Sequence, residues 1–274
     1  MTILDVLARP DLLVPLLAAH LLADFVFQTD RMAAGKERWG PLLGHVTVVA
    51  ISSWALIGHV GAVQLVVLVS LFHLLIDMAK TALERLTLPD RVADASELTS
   101  GFWSRNGRPT LFLGDQALHM VSLIAAVWVA ASVPFLSAPP PDAGLWATTF
   151  GSLYLRFLVL VCGWVVATTG AGYFFAHFLA RFETQLEPDQ RGGLSKGGYW
   201  IGVTERSLIY LFILVGEPTG IGFLAAAKSV FRIGELRDAK DRKLAEYILI
   251  GTLLSFAAAM VVGLATRAAF AVMP

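Results

Sequence analysis

Eight stretches of the chain, roughly 12–28, 41–59, 62–83, 110–136, 145–182, 199–216, 219–236 and 244–272, are apolar over the length that a bilayer demands. A hydrocarbon core of about 30 Å takes about 20 predominantly apolar residues per helix. In that medium only a helix or a closed barrel satisfies its own backbone, and continuous runs of this length predict helices. The 274-residue chain is 56% hydrophobic and only 15% charged, which excludes an ordinary soluble globule and a disordered chain. Lys+Arg and Asp+Glu stand at 21 each, so no basic excess points to nucleic acid. The single Cys162, set in an apolar run, reads as a small buried hydrophobe. The first apolar run contains His20 and Asp24 and follows no basic leader, which argues against a cleavable signal peptide.

The basic residues predict the orientation. Fifteen lie in or beside the first, third, fifth and seventh connections, from Arg31, Lys36 and Arg38 to Arg242 and Lys243, and none in the second, fourth or sixth. The expectation is eight spans with both termini outside and four basic loops in the cytoplasm. Trp39, Trp103 and Trp200 fall beside the inner ends and Trp146 beside an outer end, where interfacial aromatics belong. The expected architecture is therefore an all-α polytopic helix bundle in two four-helix halves, 1–136 and 145–274. The halves meet at the stiff loop carrying Pro139, Pro140 and Pro141. Ala79, Lys80 and Thr81 find a faint echo in Ala227, Lys228 and Ser229, too little to establish a duplication. Gly170 and Gly172 mark a bend or a close helix contact in the long fifth span. Lys228 and Arg232 interrupt the seventh, for which a re-entrant hairpin is the alternative.

Ionisable residues inside spans are costly and usually functional. Span one holds His20 and Asp24, span two His45, span three His73 and Asp77, and span four Asp115 and His119. Three of these sets are i,i+4 pairs, which share a helix face. Because the spans alternate in direction, all seven side chains come to one depth near the cytoplasmic side. Imidazole and carboxylate together suit a divalent transition ion, zinc first and manganese or iron as alternatives, and seven groups suffice for two ions. Each Asp at a helix centre costs about 2.5–3.5 kcal/mol, and bound zinc returns about 10–16 kcal/mol in small peptides. The plainer reading is a structural cluster in which each His satisfies its Asp. An Asp that binds no metal is a candidate general base, which makes Asp24, Asp77 and Asp115 the candidate catalytic residues. Lys80 either neutralises Asp77, holds a phosphate or snorkels to the headgroups. Gln28 either orients a ligand or marks the membrane exit. His59 and His177 read as interfacial or helix-contact residues. In the second half, Glu205, Arg206, Lys228, Arg232 and Glu246 carry both signs, as an interhelical ion-pair network or a substrate site would. Gly192, Gly193, Lys196, Gly197 and Gly198 lack nucleotide-loop spacing and read as a flexible cytoplasmic connection.

The run from Ala19 through His20, Asp24 and Gln28 to Asp30, with His45, His73-x-x-x-Asp77-x-x-Lys80 and Asp115-Gln116-x-x-His119, resembles the bacterial inner-membrane proteins grouped as domain of unknown function 3307. The stretch from Gly222 to Leu253 looks like the second half of longer members. The resemblance implies a multi-pass protein of the bacterial inner membrane and carries no established activity. A looser similarity runs to membrane-bound metal-dependent hydrolases and implies His20, Asp24, His73 and Asp77 as ligands.

The function expected is a metal-dependent hydrolase acting on a lipid or lipid-linked phosphate. An ion or small-anion transporter is the first alternative, ranked lower because the outer halves of spans one to four are almost wholly apolar. A non-catalytic scaffold or accessory subunit, with the loop over 84–109 as its partner surface, is the second. Membrane lipids, a lipid-like or phosphorylated substrate and a second copy of the chain are the expected partners, and nucleic acid is not.

Overall fold

A computed structural model describes residues 2–87, 109–132, 144–183, 197–233 and 242–273, excepting the side chains of 86, 87, 181, 183, 231–233 and 242. Trp103, Pro139, Pro140, Pro141, Gly192, Gly193, Lys196 and the Arg232 side chain lie outside these residues. All regular structure among the described residues is helical.

Helix α1 (Ile3–Leu7) opens on a capping box: Thr2 Oγ1 accepts from the Asp5 amide at 3.2 Å and the Asp5 carboxylate accepts from the Thr2 amide at 2.7 Å. Helix α2 (Pro10–Leu22) begins with Pro at a position where its missing N–H costs nothing. It continues directly into a π-helical turn, Ala23–Phe27. Thr29 caps the short α3 (Asp30–Ala34), accepting from the Met32 amide at 3.3 Å. Helix α4 (Trp39–Ile57) stops at Gly58, whose φ of 66° is left-handed backbone that favours glycine. After a tight turn at Val60–Ala62 come α5 (Val63–Thr87) and α6 (Pro109–Ser132). Helices α7 (Leu145–Phe150) and α8 (Ser152–Val165) follow. A second π turn, Val166–Gly170, precedes α9 (Ala171–Glu183). Then come α10 (Gly197–Val215), α11 (Thr219–Ile233) and α12 (Arg242–Val272).

Among the described residues, seven helical stretches are long and apolar enough to cross a membrane: Pro10–Phe27, Trp39–Ile57, Val60–Arg85, Pro109–Ser132, Ser152–Ala180, Gly197–Val215 and Lys243–Val272. The chain is a multi-pass membrane protein of all-helical fold. The expected seventh span is different. Helix α11 has 15 residues, about 22 Å at 1.5 Å per residue, and only Thr219–Val230 of it is apolar. Lys228 falls inside that short stretch. The fifth expected span is also shorter at its start, because Gly151, at φ 56°, separates α7 from α8. Gly197 and Gly198 are not a loose connection but the first residues of α10.

Two compact units emerge, dividing between Cys162 and Gly163 within α8. In the first, Leu12 and Leu16 of α2, Val49 and Ile57 of α4, Val66 and Val69 of α5, and Leu123 and Val127 of α6 form one buried apolar cluster. The opposite faces are apolar as well: Trp54, Val67, Leu71, Leu118 and Val121 are exposed. An apolar exterior fits a lipid solvent. Carbonyls at the end of α4 are satisfied from α7 and the start of α8. Trp146 Nε1 donates to the Ala55 carbonyl at 2.7 Å, the Tyr154 hydroxyl to that of Leu56, and the Leu145 amide to that of Gly58 at 2.9 Å. Gly144 permits this approach, since a Cβ there would lie 1.9 Å from the Ile57 oxygen.

In the second unit, Ile209 of α10 packs with Phe256 and Ala259 of α12. The Tyr210 hydroxyl donates to Thr266 Oγ1 at 3.2 Å. Arg267 Nη1 donates to the Ile213 carbonyl at 3.1 Å, satisfying an acceptor in the last turn of α10.

Candidate metal centre

All seven expected residues converge in the first unit. His20, His45, His73, Asp77, Asp115 and His119 are buried, each no more than 6% exposed. Asp24 is the least buried of the set, with its side chain 9% exposed. His20 comes from α2, Asp24 from the π turn that follows it, His45 from α4, His73 and Asp77 from α5, and Asp115 and His119 from α6. The three i,i+4 pairs do hold their partners on one helix face, at 3.7 Å for His20 and Asp24, 3.7 Å for His73 and Asp77, and 3.6 Å for His119 and Asp115. None of these is a hydrogen-bond distance, so the pairs do not simply satisfy themselves. The closer approaches run between helices.

Asp24 Oδ1 faces three imidazoles at once: His45 Nε2 at 3.3 Å, His73 Nε2 at 3.6 Å and His20 Nδ1 at 3.7 Å. Asp77 Oδ2 lies 3.7 Å from both His45 Nε2 and His73 Nε2, which are 2.9 Å apart. Donor atoms of Asp24, His45 and His73, from the π turn, α4 and α5, lie close enough together to share one ion, and Asp77 Oδ2 approaches both imidazoles of that set. Ligands at about 2.0–2.1 Å from a tetrahedral zinc are about 3.3–3.4 Å from one another. Asp24 Oδ1, His45 Nε2 and His73 Nε2 are 2.9–3.6 Å apart, which brackets that value, and Asp77 Oδ2 lies 3.7 Å from each imidazole nitrogen. An ion bound there would hold this quartet with small adjustments of side chains. It would also displace the proton that His45 and His73 must share across their 2.9 Å contact.

The remaining hydrogen bonds orient the cluster. Lys36 Nζ donates to Asp77 Oδ1 at 2.7 Å, leaving Oδ2 directed at the imidazoles. Lys80 Nζ and Gln116 Nε2 donate to Asp115 Oδ2 at 2.9 and 3.3 Å. Gln116 thereby turns its Oε1 to His20 Nε2, 3.3 Å away. A carbonyl only accepts, so His20 carries its proton on Nε2 and offers a bare Nδ1. His119 is the mirror case: its Nδ1 donates to the Asp115 backbone carbonyl at 2.9 Å, which frees Nε2.

Two expectations change here. Lys80 does not neutralise Asp77 but bonds Asp115 on the neighbouring helix, and Lys36 takes Asp77 instead. Lys36 was legible only as a basic residue of an inner connection. The amide that orients an imidazole is Gln116 rather than Gln28. The π turn beside Asp24 had no visible signature in the sequence. Such turns recur at functional sites.

Outside the cluster, His59 Nδ1 accepts from the Gly61 amide at 2.9 Å, a local turn contact. His177 Nδ1 donates to the Tyr173 carbonyl at 2.7 Å. In the second unit Lys228 Nζ reaches Glu205 Oε2 at 2.5 Å. Arg206 is bonded to neutral acceptors, the Thr168 carbonyl at 3.2 Å in the π turn and Ser255 Oγ at 3.1 Å. Gly202 and Gly172 make room for its guanidinium, since a Cβ on either would lie 2.8 or 3.0 Å from it. Glu246 lies in α12.

Residues 12–139 match the model of a family described as Protein of unknown function (DUF3307). That stretch contains all seven cluster residues together with Lys36, Lys80 and Gln116, so the resemblance noted in the sequence rests on the same residues as the site. No curated protein and no solved structure matches the chain.

Proposed function

We propose that the first unit is a metal-dependent hydrolase of the bacterial inner membrane, acting from the cytoplasmic side on a lipid or lipid-linked phosphate. The observation that carries this reading is the quartet Asp24, His45, His73 and Asp77, in which each carboxylate lies 3.3–3.7 Å from both imidazole nitrogens, near the spacing of a tetrahedral ligand shell. A divalent ion, zinc first, would supply Lewis acidity there and lower the pKa of bound water toward about 7. Lys36 and Lys80 flank the quartet, and each uses a carboxylate as its partner. Two ammonium groups this close to the site favour a phosphorylated substrate over a neutral ester. Fifteen basic residues beside the inner connections, and apolar outer halves of the first four spans, favour entry from the cytoplasm or the inner leaflet.

The full-length protein, reconstituted in lipid nanodiscs and loaded with zinc, is to be offered phospholipids and a polyprenyl diphosphate. We expect release of phosphate or of a phosphorylated headgroup, abolished by chelation and by Asp24→Asn. Failure of the zinc-loaded protein to release either, with metal or anion uptake into sealed proteoliposomes, would replace hydrolysis by transport.

A further inference from the structure

The quartet leaves part of the cluster unused. Asp115 Oδ1 and His119 Nε2 are buried and make no hydrogen bond to the described residues, and the same is true of Asp77 Oδ2 and His20 Nδ1. Buried polar atoms are almost always paired, and a bare carboxylate oxygen beside a bare imidazole nitrogen is doubly costly. None of these groups is loose. Asp115 is clamped through its other oxygen by Lys80 and Gln116, Asp77 through its other oxygen by Lys36, and His119 through Nδ1 by a backbone carbonyl. Each bond fixes one atom and presents the other. Donor atoms of Asp77, Asp115 and His119 lie within 4.8 Å of one another, little more than the span of about 4.0–4.4 Å between ligands on opposite sides of one ion. The three are at most 6% exposed.

We infer that Asp77, Asp115 and His119 form a second divalent-cation site, with Asp77 common to it and to the quartet, so that the centre holds two ions. The inference rests on the reading that the quartet binds the first ion. A shared carboxylate sets two ions at the separation of about 3.5–4 Å seen in two-metal hydrolytic sites. Such a pair clamps the attacking and leaving oxygens of a phosphoryl group, which suits the phosphorylated substrate proposed above. Asp115 is then a ligand rather than a general base. Lys80 and Gln116 become the residues that hold it in place, and charge-assisted bonds of this kind tune ligands in other metal centres.

The test is metal stoichiometry in the full-length chain, measured by elemental analysis after saturation with Mn²⁺ and removal of free ion. A magnetic resonance spectrum of the same samples reports whether the ions are neighbours. The unmodified protein is expected to hold two ions with an exchange-coupled spectrum. His119→Gln and, separately, Asp115→Asn should hold one, with the spectrum of an isolated ion. Two substitutions at different ligands guard against a single variant that misfolds, and retention of one ion itself reports an intact quartet. One ion in the unmodified protein, undiminished in both variants, would overturn the second site while leaving the quartet standing. No ion at all would remove both.

Discussion

Asp24→Asn is expected to empty the quartet. Its Oδ1 faces His45, His73 and His20 within 3.7 Å, so it is the one anion aimed at three imidazoles from three directions. An amide keeps the shape but removes the charge and offers a far weaker donor. Loss of an outer-shell partner already costs about 10–100-fold in metal affinity, and loss of a ligand that also neutralises the ion should exceed that. The bound-metal content of Asp24→Asn purified without chelator is the readout, with helical content as the control for folding. Equal metal in Asp24→Asn and the unmodified protein would strike Asp24 from the ligand set.

Lys36→Met should destabilise the metal-free state far more than the metal-loaded one. Lys36 and Asp77 are a tight pair at 2.7 Å with side chains 13% and 1% exposed. Removing one partner of such a buried pair costs about 3–5 kcal/mol, because the other charge is left alone. In the loaded protein the ion supplies the positive charge that Asp77 then lacks, and the loss should shrink. Melting temperatures in detergent, with chelator and with zinc, separate the two cases. The expected result is a large drop in chelator that zinc recovers. An equal drop in both conditions would mean that no cation reaches Asp77.

Much of this was legible in the sequence because its signals are local. Continuous apolar runs mark the spans, and i,i+4 spacing places His20 with Asp24, His73 with Asp77 and Asp115 with His119 on single faces. Alternating helix direction then put all three pairs at one depth, and the structure brings them together. What was not legible depends on contacts between elements. Lys80 stands three residues from Asp77, yet its long side chain crosses to Asp115 on α6, a choice that helical spacing does not reveal. Lys36 sits in a connection, where a basic residue ordinarily reports only orientation. The π turn at Ala23–Phe27 has no compositional mark, since Ala, Asp, Phe and Val all occur in α-helices. Helix α11 illustrates the converse: Lys228 is drawn into an ion pair with Glu205, and an apolar run that looked marginally long enough in the sequence forms a helix of 15 residues.

The central claim is that a divalent transition ion occupies the space between Asp24, His45, His73 and Asp77. Elemental analysis of the full-length protein, purified without chelator and then dialysed against trace zinc, tests it most directly. At least one tightly held zinc per chain is expected, absent from the double variant His45→Ala/His73→Ala. A folded, unmodified protein that retains no zinc or other transition ion under these conditions would contradict it, and the seven residues would then be a structural polar cluster.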